Sequence, residues 1–289
     1  MPDVQVQRPE FVRDSAGATA FGVVEKPLTA WERIYNEGAV RKGFILVALA
    51  LLWEIYARIL DNQLIFPTFT DTVKAFYQGI ASGVLIERCL FSLKTLLIGY
   101  AAGIALAAVL TVVGITTRIG RDLLETLTAM FNPLPAIAML PLAMLWFGLG
   151  TGSLIFVLVH SVLWSVALNT HAGFMGVSST LRMVGRNCGL SGLGYVAKIL
   201  IPAGFPSILT GLKIGWAFAW RTLIAAELVF GVSSGSGGLG WFIYENKNQI
   251  EIPAVFAGLL TVILIGLVVE NFIFRTIEVR TVKKWGMQL

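Results

Sequence analysis

The stretch Asn132-Pro133-Leu134-Pro135-Ala136-Ile137-Ala138-Met139-Leu140-Pro141-Leu142-Ala143-Met144-Leu145-Trp146-Phe147-Gly148-Leu149-Gly150 closes an apolar run that begins near Leu123 and contains three prolines. The run is long enough to span a bilayer core of roughly 30 Å, which takes about 20 residues. Each proline removes a backbone donor and kinks or breaks a helix. Broken backbone at hydrocarbon depth is tolerated only where protein or a water-filled cavity satisfies it. The run therefore belongs inside a helix bundle, beside a cavity.

Working outward, five further apolar runs bounded by charge appear, near residues 43–60, 95–115, 153–169, 208–232 and 253–274. With 56% hydrophobic residues, 13% charged residues and a mean hydropathy of +0.77, the chain of 289 residues carries more apolar surface than one soluble core hides. The expected fold is an all-α polytopic membrane protein with six transmembrane helices. It has a tail and surface helix over 1–42, a spanning domain over 43–274 and a second tail over 275–289. Thr29 and Glu32 have capping-box spacing ahead of the short helix around Trp31 to Tyr35.

Fifteen of the 22 Lys and Arg residues fall in the amino-terminal tail, loop two-three, loop four-five and the carboxy-terminal tail. Basic residues are retained on the cytoplasmic side, so both termini are expected to be cytoplasmic. The net charge of +5 is spread over that face and matches topology, not nucleic-acid binding. Cys89 and Cys188 then lie on opposite sides, which excludes a disulfide within one chain.

Three motifs resemble chemistry in letters only. Gly231-Val232-Ser233-Ser234-Gly235 has the form of a nucleophile elbow but follows a spanning helix instead of a strand. Gly235 to Gly240 matches a dinucleotide fingerprint with no strand-helix-strand unit around it. Gly99-Tyr100-Ala101-Ala102-Gly103 permits close helix approach, within the chain or between copies. No phosphate-cradling Gly-x-x-x-x-Gly-Lys-Ser/Thr is present, so this chain is expected to bind no cofactor, and any ATP and Mg belong to a separate ATPase.

Ionised groups inside spans are functional candidates, because each costs about 2.5 to 3.5 kcal/mol at a helix centre. Arg221 sits near mid-helix and is expected to face the pathway and attract an anion, with a structural ion pair as the alternative. Glu227, six residues on, points elsewhere around the helix and needs a partner on another helix or the outer loop. Lys213 is near enough to the inner end to snorkel, and Glu54 with Arg58 has the spacing of a local pair.

Loop four-five, about residues 171–207, divides at Gly189 into a basic amphipathic helix over Ser179 to Arg186 and a second helix over Leu193 to Leu200 halted by Pro202. It resembles the cytoplasmic loop of ABC importer permeases, which carries Glu-Ala-Ala, then Gly, then Ile-x-Leu-Pro. Gly189, Ile199 and Pro202 fall at those spacings, whereas the Glu-Ala-Ala positions hold Met183, Val184 and Gly185. Asn132 to Gly150, with Leu209-Thr210-Gly211-Leu212-Lys213-Ile214-Gly215 and Ala225-Ala226-Glu227, resembles the nitrate/sulfonate/taurine/bicarbonate branch of that family over about residues 50–285.

The resemblance implies a type I importer permease in the bacterial inner membrane. Its partners would be membrane lipid, a second permease copy (a homodimer), two cytoplasmic ATPases and an external solute-binding protein. Arg182, Met183, Val184, Gly185, Arg186, Gly189, Ile199 and Pro202 would couple to the ATPase, and Asn132, Pro135, Met139, Arg221 and Glu227 would line the pathway of a small anionic solute. An intramembrane enzyme or a passive channel is the competing class. An enzyme would need a base such as His160 or His171 beside a nucleophile, and the order of spans places neither a carboxylate nor a thiol there.

Overall fold

The computed structural model describes residues 35–230 and 237–287, which are helical with short connections. Its elements are α1 (Gly38–Leu60), α2 (Phe69–Ala81), α3 (Val84–Thr116), α4 (Arg118–Phe131), a 3-10 turn (Ala136–Met139), α5 (Leu140–Phe147), α6 (Thr151–Met175), α7 (Ser179–Asn187), α8 (Gly192–Tyr195), α9 (Ile201–Phe230), α10 (Leu239–Asn248) and α11 (Ile252–Val268). A π turn over Val196–Leu200 joins α8 to α9, and further helical turns carry α11 on to Lys283. The expected capping box at Thr29 and the elbow-like loop from Gly231 lie outside the described residues.

Five helices are long and apolar enough to cross a membrane, and α4 with the segment Ala136–Phe147, bent by 90°, makes a sixth broken span. The chain divides into two compact units, residues 1–52 and 53–289. Of the first unit, Tyr35 to Leu52 are described, and large apolar residues such as Phe44 and Leu46 are exposed along its helix. Such a surface is stable only in a hydrocarbon solvent.

Within the second unit, α6 is the central helix and packs against α3 and α9. Gly99 and Gly103 of α3 make that approach possible. A β-carbon at either would lie 2.6 Å from Leu158 or 2.7 Å from Val162 of α6, so the Gly-x-x-x-Gly spacing serves packing inside the chain. At the end of α1, Glu54 accepts from Arg58 at 2.8 Å and from the amide of Thr70 at 3.0 Å. The indole of Trp53 donates to the carbonyl of Pro67 at 2.9 Å. The local pair expected from spacing thus also fixes the turn into α2.

Several boundaries differ from the sequence reading, three of them with consequences. The second span begins at Val84, eleven residues before Thr95, so Glu87, Arg88 and Lys94 are helical and not in a loop. The last helical run passes Phe274 and continues to Lys283. Pro202 does not halt the second helix of loop four-five, because the wider turn over Val196–Leu200 precedes it and accommodates a residue that cannot donate. The chain therefore runs from Gly192 to Phe230 as one helical rod.

Candidate functional site

The break between α4 and the 3-10 turn is made by four residues. Asn132 still donates to Thr128 as the last turn of α4, then Pro133 and Pro135 interrupt the ladder, and Ala138 restarts it on the carbonyl of Pro135 at 2.9 Å. The bend exposes Asn132 to Ile137 along one wall of a cavity of about 300 Å³. His160, Ser161, Trp164 and Ser165 of α6 form the second wall, and Phe218, Arg221 and Thr222 of α9 the third. The broken span thus borders a cavity, as its prolines required.

Of the five residues assigned to the pathway from sequence, Asn132, Pro135 and Arg221 line this cavity. Met139 lies on the 3-10 turn behind them, half-buried and outside the lining. Arg221 is exposed. Its Nε donates to the carbonyl of Ala217 at 3.0 Å and its guanidinium lies 5.1 Å from the centre of the Phe218 ring. Among the described residues no carboxylate pairs with it.

Sequence reading missed the α6 wall. His160 is 8% exposed, and neither ring nitrogen has a hydrogen-bond partner; nor does the indole nitrogen of Trp164. Buried polar atoms are normally paired, so three without a partner in the protein beside one cavity are unusual. Ring packing fixes the position of both side chains. Phe131 stacks on Trp164 at 5.5 Å and meets His160 edge-on at 6.3 Å, which holds both rings against the break. The available signal was the spacing of His160, Ser161, Trp164 and Ser165, a polar stripe on one face of an otherwise apolar helix.

Glu227 is placed elsewhere, at 2% exposure, and does not line the cavity. The Ser92 hydroxyl lies 2.8 Å from both of its carboxylate oxygens, and the amide of Gly240 donates to Oε2 at 2.9 Å. Ser92 in turn accepts from the amide of Leu239 at 2.8 Å. The partner on another helix and the partner near the outer loop are therefore both present. A β-carbon on Gly238 would sit 2.2 Å from Glu227 Oε1, so part of the fingerprint-like glycine run lets backbone reach a carboxylate. Arg88 closes the same corner by donating to the carbonyl of Gly237 at 2.8 Å and approaching Glu245 at 3.6 Å. Lys213, expected to snorkel, pairs with Glu278 at 2.6 Å.

At the opposite end, α7 begins at the cap Ser178 and ends where Gly189 takes φ of +75°, a conformation that favours glycine. Gly185 is buried against the rod, and a β-carbon there would lie 2.8 Å from Ile199 Cγ1. Arg182 turns inward. Its guanidinium donates to the carbonyls of Phe174 and Val177 at the end of α6, tying α7 to the central helix. Met183, Val184 and Arg186 remain exposed, whereas Ile199 is half-buried and Pro202 exposed on the rod. The eight residues assigned to coupling thus divide into an outward face and an inward anchor.

These features define a multi-pass helical membrane protein with a cavity of mixed apolar and polar lining against its central helix and an anchored surface helix at one end. The chain belongs to the family of binding-protein-dependent transport system inner membrane components, whose pattern matches residues 99–278. A putative ABC transporter permease of Methanocaldococcus jannaschii is 33% identical over 78% of this chain and 85% of that protein. A putative aliphatic sulfonates transport permease of Escherichia coli is 27% identical over 78% of this chain and 85% of its own length. A nitrate import permease of Synechocystis is 27% identical over 83% and 88%. The chain is accordingly an inner-membrane, multi-pass ABC permease of the nitrate/sulfonate/taurine branch.

Proposed function

We propose that this chain is the permease subunit of an ATP-driven importer, and that the cavity at Arg221 is a station for a small anionic solute delivered by an external binding protein. The observation that carries this reading is the guanidinium of Arg221, which has no carboxylate partner among the described residues and lines one cavity with Asn132, His160 and Trp164. A guanidinium without a carboxylate partner on a membrane-spanning helix is complementary to an anion. Two copies would enclose the pathway, both termini would be cytoplasmic, and ATP with Mg would be held by two separate ATPase chains. Relatives named for sulfonate and nitrate transport support the anionic class. Glu227, buried in its own hydrogen-bond set, serves structure in this reading.

The outward face of α7, with Met183, Val184 and Arg186, is the part that would seat in the ATPase. ATP-driven closure of the ATPase pair would move α7, and the Arg182 anchor would transmit that movement to α6 and the cavity wall. Uptake into proteoliposomes tests the reading. With the ATPase and binding protein present, Arg221→Ala should lower ATP-dependent uptake roughly tenfold or more, the loss expected for one charged hydrogen bond of about 1.5–3 kcal/mol. Arg221→Lys should retain part of it. Full uptake by Arg221→Ala, or uptake without nucleotide, would refute the proposal. Cys188, exposed beside Gly189, reports sidedness, because an impermeant maleimide should reach it only from the cytoplasmic side.

A further inference from the structure

A second cavity, of about 540 Å³, lies where α3 ends, α4 begins, α6 ends and α7 meets the turn at Tyr195, and it shares no lining residue with the Arg221 cavity. Its volume falls in the range of roughly 300–1,000 Å³ typical of small-molecule sites. Arg121, Arg182 and Arg186 all line it, and no Asp or Glu does. Arg182 is partly committed to the carbonyls at the end of α6. Arg121 and Arg186 have no ion pair among the described residues, although Glu125 stands one turn from Arg121 on α4. The Tyr195 hydroxyl is buried without a partner. Ile115 and Leu200 supply an apolar wall.

Three like charges around one concavity repel one another, and a bound anion relieves the part of that cost which solvent around the exposed Arg121 and Arg186 leaves unscreened. Basic pockets between spanning helices at a membrane surface are suited to phosphate head groups, with the apolar wall beside an acyl chain. We infer that this cavity binds a phosphate-type anion, carried on an anionic phospholipid or free in solution. Because Arg182 also holds α7 to α6, occupancy would stiffen the surface helix proposed to meet the ATPase. That consequence rests on the proposed function, whereas the binding itself does not.

The permease–ATPase complex in nanodiscs provides the test, with no nucleotide or solute required. Wild type is compared with Arg121→Gln/Arg186→Gln and with Arg121→Lys/Arg186→Lys, leaving the Arg182 anchor intact. One arm uses phosphatidylglycerol discs and native mass spectrometry of retained lipid. The other titrates inorganic phosphate at constant ionic strength into phosphatidylcholine discs and follows the melting temperature. In the responding arm the Gln pair should weaken binding about tenfold or more while the Lys pair retains most of it, as expected when charge is removed or kept. A response in the first arm names lipid as the source, and in the second, free anion. The inference is overturned by equal binding in wild type and the Gln pair in both arms. It is also overturned if the Gln pair loses the bound ATPase but keeps wild-type binding of lipid and phosphate, which would leave Arg186 with only the ATPase contact proposed above and assign Arg121 to the same contact. Uptake can fail in either case without altering these readings, so the two proposals are separable.

Discussion

Ser92 on α3 and Glu227 on α9, 135 positions apart, share a hydrogen bond of 2.8 Å in a part of the bundle that excludes solvent. The same carboxylate accepts from Gly240, so one side chain joins α3, α9 and the start of α10. A buried carboxyl group of this kind persists only when its polar atoms are paired.

Glu227→Ala should therefore strand the Gly240 amide and the Ser92 hydroxyl, at a cost of about 1–3 kcal/mol for each group left unpaired. Ser92→Ala should also destabilise, by about 1–3 kcal/mol for the stranded amide of Leu239, although the amide of Gly240 still serves the carboxyl group. Thermal melting of the purified permease measures both, and equal stability of Glu227→Ala and wild type would remove the structural role.

Gly240→Ala would place a β-carbon 2.5 Å from the carbonyl oxygen of Ile224 and 2.6 Å from Glu227 Cβ. Overpacking of this kind costs about 1–3 kcal/mol. Gly194→Ala, where a β-carbon meets nothing within 4 Å, is the control and should be neutral or slightly stabilising. The contrast is read from melting curves of the two variants.

His160→Phe separates binding from folding. Neither ring nitrogen has a partner in the protein, so the substitution removes no internal hydrogen bond and should cost less than about 1.5 kcal/mol of stability. Uptake of an anionic solute should nevertheless fall. A variant that melts like wild type and transports like wild type would take His160 out of the pathway.

Gly185→Ala should loosen the contact of α7 with the rod, since its β-carbon would lie 2.8 Å from Ile199 Cγ1. Ile199→Ala opens the space it needs. In a double-mutant cycle on melting free energy, the pair should show a coupling of about 0.5–3 kcal/mol, with the double variant more stable than the sum of the singles predicts. Additive effects would mean that α7 does not lean on Ile199.

Arg182→Gln should detach α7 from the carbonyls of Phe174 and Val177. The expected outcome is ATP hydrolysis largely retained and uptake lost, measured side by side in proteoliposomes. Uptake that stays in proportion to hydrolysis would show that another contact carries the movement.

What could be read directly from the residues was whatever depends on neighbours along the chain. Apolar run length required membrane spans, three prolines required a break between Asn132 and Pro141, and Gly189 between two short helical stretches required an elbow. Arg221 also stood out because charge at mid-span is costly wherever the helix packs. The tertiary structure alone decided what crosses space. It set Glu227 against Ser92 and Gly240 instead of the cavity, turned Arg182 inward, carried the rod through Pro202 and brought His160 and Trp164 to the break. Helix periodicity states which face a residue occupies, but a polar side chain finds its partner only once the helices have packed, because desolvation then leaves it no water to choose instead.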